Sequence, residues 1–182
     1  MTGELLRTYA NPVAGGYNNF GENIVGVAGN VVVSAYTDDS GGNNAGAAYL
    51  FNGATEELIA VLQQDPTPVA DAMFGWSLAV VGNTVAIGSR SGTTPVQVFN
   101  GKTGEFLYSL SNPGAADDDF GRSIAAVGST IAVGAMLCDA SGEPNAGAAY
   151  LFEAPEPSSA LLLLMAATVL AMRRWVGKRV ER

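Results

Sequence analysis

Histidine is absent from this chain, cysteine occurs once as Cys138, and lysine occurs only as Lys102 and Lys178. Without histidine there is no Ser-His or Cys-His nucleophile pair, and the commonest transition-metal ligand is missing. A single cysteine excludes an intrachain disulfide and reads as a small apolar core residue. Charge is also scarce, at 14% of residues against about 25% in an ordinary soluble domain. What charge there is divides unevenly: residues 1–172 carry four basic and sixteen acidic groups (net -12), and residues 173–182 carry five basic and one acidic (net +4). An acidic body with no stripe of Lys and Arg excludes a nucleic-acid groove, which works by displacing phosphate counterions.

Glycine and β-branched residues are abundant, so the chain can bury a core while turning often; glycine alone accounts for 23 of 182 residues. The heptapeptide AGAAYLF spans Ala45 to Phe51 and returns unchanged as Ala146 to Phe152, an offset of 101 (146 − 45). The same offset relates Thr2-Gly3-Glu4 to Thr103-Gly104-Glu105, and Asn11-Pro12 to Asn112-Pro113. Three units open on a Phe-Gly pair, at Phe20-Gly21, Phe74-Gly75 and Phe120-Gly121. Each continues as two β-branched runs parted by Gly29-Asn30, Gly82-Asn83 or Gly128-Ser129, dipeptides that predict tight hairpins of type II′. A third run ends at Phe51, Phe99 or Phe152, and a fourth covers 57–62 or 105–110.

The fold class predicted is therefore all-β, with propeller-type blades of four antiparallel strands, about three blades' worth in residues 1–154. The third blade has three strands, and residues 4–9 read as a lone fourth strand that completes it. Because the opening residues lie in mid-repeat and form no signal peptide, the sequence leaves three expectations: a truncated product whose leader and further blades precede Met1, an open arc, or half of a dimeric ring.

The Phe-Gly starts, the Gly134-Ala135 strand end and the Tyr-Leu-Phe strands at 49–51 and 150–152 resemble the FG-GAP repeat family. That resemblance implies an integrin-α-like β-propeller used for binding and adhesion rather than catalysis. Many members carry a calcium loop between the first two strands of a blade, where alternating carboxylates offer oxygens to a hard cation. Here the two-residue breaks leave no room for it, so no cofactor is expected. The acidic residues that remain as weak metal candidates are Asp38, Asp39 and Asp139. Those carboxylates, with Asp117, Asp118 and Asp119, also define a rival reading, a secreted hydrolase with an acid/base pair. Tyr36 and Trp76 offer a face for a glycan or protein ligand. A third reading is structural, with open arcs assembling through unpaired strand edges.

Residues 155–182 change character. Pro155-Glu156-Pro157 precedes an apolar run over 160–172, predicted as one hydrophobic helix, and Arg173-Arg174 open a basic end. This order is similar to the PEP-CTERM sorting signal. It implies a Gram-negative exported protein, held transiently in the inner membrane through 160–172. An exosortase-type enzyme would process it near Pro155, Glu156 and Pro157 and release it to the cell surface or extracellular matrix.

Overall fold

The structure, a computed structural model, describes residues 3–13, 17–91, 94–115 and 118–154. The described residues up to Phe152 form one compact unit. The expected helix over 160–172 and the sorting residues Pro155, Glu156, Pro157, Arg173 and Arg174 lie outside the described residues, as does Asp117.

Three antiparallel sheets follow one another along the chain. The first contains β1 (Ile24–Val27), β2 (Asn30–Ala35), β3 (Ala47–Asn52) and β4 (Leu58–Leu62). The second contains β5 (Ser77–Val81), β6 (Thr84–Gly88), β7 (Val96–Asn100) and β8 (Phe106–Leu110). The third has three strands among the described residues, β9 (Phe120–Val127), β10 (Thr130–Ala135) and β11 (Ala148–Glu153). Each sheet is a meander in chain order, as the four-run repeat predicts. β5 packs against both β1 and β9, so the first strands adjoin and the sheets fan out as an open arc.

The hairpins depart from expectation at one place. Gly82-Asn83 and Gly128-Ser129 each join strands with a positive φ at the glycine, 57° and 60°. In the first sheet Val27 pairs with Asn30, which moves the turn one residue forward to Ala28-Gly29, with φ of 52° and 84°. Two positive φ values mark a type I′ turn, whose twist also matches a hairpin.

Alternation along each strand sends residues to opposite faces. Val32, Ala48, Leu50 and Leu62 leave the first sheet toward Phe74, Val85, Ile87 and Phe99 of the second repeat, forming the main core. Val33, Tyr49 and Phe51 point the other way and are covered by Phe20 and Tyr9. Close backbone contact locks one repeat to the next: the Phe74 amide donates to the Ala45 carbonyl at 2.9 Å. A Cβ on Gly75, φ 94°, would sit 2.8 Å from the Ala47 oxygen, so only glycine lets the Phe-Gly turn nest there.

Residues 4–9 are not a strand. They complete no blade within the chain; instead Tyr9 stacks on Phe51 at 5.5 Å and Arg7 pairs with Glu56 at 3.6 Å, both on the first sheet. The expected pairing with the third sheet fails because the open arc leaves these residues with the first sheet.

Candidate functional site

The residue after each Phe-Gly pair enters the arc at the same rim. These residues are Glu22, Trp76 and Arg122. Gly21 and Gly75 donate to the Ser34 and Gly88 carbonyls, each at 3.0 Å, and Gly88 and Gly134 pair with Ser77 and Ser123. Hence Tyr36, Arg90 and Met136, two positions further on, are equivalent and emerge at that rim too.

Trp76 is the centre of the cluster. Tyr36 meets it edge-on at 4.8 Å, and the Arg90 and Arg122 guanidinium carbons lie 5.3 and 6.0 Å from its ring centroid. Asn23 fixes the backbone there by donating from Nδ2 to the Trp76 carbonyl at 3.0 Å. Arg122 is held by Asp119 at 2.7 Å, whereas Arg90 is exposed and pairs with no carboxylate among the described residues. A cleft of about 750 Å³ opens between Trp76, Arg122 and the small residues Gly134 and Ala146 to Ala149. A smaller hollow of about 210 Å³ lies between Glu22, Asn23, Tyr36 and Trp76. Clefts of about 300–1,000 Å³ with an aromatic wall and a few charged groups suit small ligands. The arrangement can stack a flat or pyranose ring and hold one negative group, and Asp119 and Ser123 also line the cleft.

The acidic candidates serve other purposes. Asp38 is buried, and donors occupy both of its oxygens: the Tyr49 hydroxyl at 2.6 Å and Asn18 Nδ2 at 3.4 Å on Oδ2, and the Ser40 amide at 2.8 Å and hydroxyl on Oδ1. Burial pushes its pKa up, but the Ser40, Tyr49 and Asn18 hydrogen bonds outweigh it and hold the carboxyl below its ordinary value. Burial and the facing carboxylate push the Tyr49 hydroxyl well above the usual phenol range. Asp39 accepts the Asn44 amide at 2.7 Å and Asp139 accepts the Asn145 amide at 2.8 Å, so these two are equivalent loop closers. Asp118 is buried, and Asp119 faces Arg122. Among the described residues no three His, Cys, Asp or Glu side chains converge as a metal site would need. No helix among those residues is long and apolar enough to cross a membrane.

Sequence reasoning found Tyr36 and Trp76 but missed Arg90 and Arg122. The signal was present, since Arg122 follows its Phe-Gly pair as Trp76 does.

The fold and rim define a repeat of antiparallel sheets, two of four strands and one of three among the described residues, with an aromatic and cationic cluster where the first strands begin. A sequence model described as the FG-GAP repeat matches residues 110–152, the third of these units. No protein with a curated description matches the chain. Among solved structures, the computationally designed Ika4 protein is similar over 82% of this chain and 99% of its own length, with 11% identity and a TM-score of 0.34. At that score the likeness adds nothing to what the strands themselves show.

Proposed function

We propose that this protein is a non-catalytic binding module of the bacterial cell surface, taking a glycan or peptide that presents a flat face and one acidic group. The observation that carries the reading is the Trp76 cluster: an indole that lines an open cleft, met by Tyr36 at 4.8 Å and by exposed Arg90 at 5.3 Å. Ring stacking and a cation–π-positioned guanidinium each contribute about 0.5–2 kcal/mol, which suits a modest, exchangeable ligand. The net charge of -12 over residues 1–172 repels polyanions, so one acid group on an otherwise neutral ligand fits better than a highly charged polymer. The FG-GAP match supports a binding and adhesion role. The tail at 155–182 supports export and release through an exosortase-type enzyme.

Titrating the chain, with Trp175→Phe to leave Trp76 as the sole tryptophan, tests the ligand. A short galacturonate oligosaccharide should shift the emission and a neutral galactose oligosaccharide should bind more weakly. Followed by calorimetric titration, Trp76→Ala and Arg90→Ala should each weaken binding about tenfold, by the energies above. An undiminished preference for the galacturonate after Arg90→Ala, or equal binding of both sugars by the parent chain, would sink the acidic-group reading. Export is tested separately: changing Pro155, Glu156 and Pro157 to Ala should leave the protein in the inner membrane fraction of an exosortase-bearing host.

A further inference from the structure

We propose that a second copy of this chain docks head to tail on the third sheet. The uncovered face of β9–β11 in one copy packs on the outer face of the other copy's first sheet. Residues 4–9 of that other copy supply the absent fourth strand. This does not rest on the ligand reading above; it covers Ala146-Gly147-Ala148, so a docked copy takes up part of the cleft that the ligand reading uses.

The junction between the first and second sheets is the template. Its first half is repeated at the tail of the arc: Ala146-Gly147-Ala148 has the sequence of Ala45-Gly46-Ala47, yet lines an open cleft. A Cβ on Gly46 would lie 2.3 Å from the Phe74 oxygen of the following repeat, whereas the nearest atom to one on Gly147 is Met136 O, at 3.3 Å and in the same repeat. Leu50 is 0% exposed under the second repeat, while Leu151 is 65% exposed. Among the described residues β11 pairs only with β10, so its other edge is open.

The second half is repeated at the head. Cβ atoms on Gly75 and Gly121 would each meet the preceding repeat at 2.8 Å, but one on Gly21 has nothing within 4 Å. Residues 5–9 align with β8 at the offset of 101 (106 − 5). Leu62, the last residue of β4, packs into the core with Phe99. Tyr9 aligns with Leu110, which ends β8, and it stacks on Phe51 while its hydroxyl donates to the Gly53 carbonyl at 3.3 Å. Tyr9 thus sits on the first sheet where the fourth strand of a preceding sheet belongs. Leu5 and Leu6 beside it are 80% and 86% exposed, with no sheet to join.

Charge agrees with this docking. Glu22 and Trp76 line one hollow across the first junction, and Trp76 and Arg122 face each other at 6.0 Å across the second. By the same geometry, Glu22 of one copy meets Arg122 of the other. The occupant is a second copy rather than the chain's own head, because closed propellers typically need about four to eight sheets. The described residues of one chain form three and those of two chains give six (3 + 3). Two identical junctions related by a twofold axis leave no edge or end face uncovered.

Sedimentation and light scattering on the full chain in a nonionic detergent test the proposal. A particle with twice the protein mass of 18.6 kDa is expected. Leu151→Lys should weaken association at least tenfold with Trp76 fluorescence unchanged. Adjacent strand residues direct their amides to opposite sides, so one of Arg7→Pro and Thr8→Pro should do the same. Mixing Leu151→Lys with the effective proline variant should restore part of the association, because one junction of the mixed pair keeps both native halves. A monomer at every concentration overturns the proposal. So does a dimer indifferent to all three substitutions, which would place association elsewhere, in the tail for instance. Monomers whose residue 4–9 amides resist hydrogen exchange would overturn it in favour of closure within one chain.

Discussion

The heptapeptide at 45–51 and its twin at 146–152 have the same letters and opposite surroundings. Leu50 is sealed between two sheets and Leu151 stands in solvent. Strand formation follows from the shared residues, since both copies form the third strand of a meander. Burial does not, because it depends on whether another repeat follows in space. One sequence thus measures the sheet-to-sheet junction separately from the sheet.

The largest expected effect breaks the twins apart directly. Leu50→Ala removes a side chain at 0% exposure packed in the main core and should destabilise the fold by about 2–5 kcal/mol. Leu151→Ala, measured where the chain is monomeric, should stay within about 0.5 kcal/mol. Urea unfolding at two protein concentrations checks this. If two copies join through Leu151, the gap narrows as concentration rises; if the gap is absent at low concentration, the third sheet is already covered.

A second contrast lies one residue earlier. Tyr49 donates to the carboxylate of Asp38, while its twin Tyr150 meets the thiol of Cys138 at 3.2 Å. Asp38→Ala leaves the buried Tyr49 hydroxyl without its acceptor and should cost about 1–3 kcal/mol, and Cys138→Ala less. Asp38 also makes the first sheet sensitive to acid. Its carboxyl is held below the ordinary 3.8, so the stability it contributes is present above about pH 4 and is lost as pH falls through the lower folded-state value. Tyr49 acts in the other direction: its raised pKa contributes stability below the ordinary 10.0 that is lost at higher pH. Urea midpoints at pH 3 and pH 6 should differ less for Asp38→Asn than for the parent chain. An equal difference in both would remove Asp38 as the source.

Most of the sheet architecture was legible in the sequence, because β-branched runs between Gly-containing breaks constrain strands and turns locally. β5 and β6 flank Gly82-Asn83 and β10 follows Gly128-Ser129, as the runs parted by those breaks predict. The connecting loops were less legible. The Cys138 amide donates to Ala135 O as the Asp38 amide does to Ala35 O, and Gly147 and Gly46 then donate to Cys138 O and Asp38 O. Asp38 therefore corresponds to Cys138 at an offset of 100, and one added residue before Asn145 restores 101. An unbroken offset sets Asp38 against Asp139 and hides both the latch and its loss. The rim cluster was half legible: the Phe-Gly register locates Trp76 and Arg122 at one level, but only the fan of the sheets brings Arg90 and Tyr36 onto the same indole.

The smallest effect concerns the hairpins. Ala28 holds a φ of 52° at the first position of a type I′ turn, where a side chain other than Asn, Asp or Gly is disfavoured. The corresponding turn in the second sheet begins with Gly82 at 57° and carries no such strain. Replacing Ala28 by Asn produces Asn-Gly, the preferred pair for this turn, and should stabilise the first sheet by about 0.5–1 kcal/mol. Gly82→Ala should destabilise the second by about as much, since it introduces the strain that Ala28 now bears. Opposite signs in thermal unfolding would show that the turns, and not the sheet cores, separate the two hairpins; equal signs would mean that Ala28 contributes more through its partial packing on the core than its backbone costs.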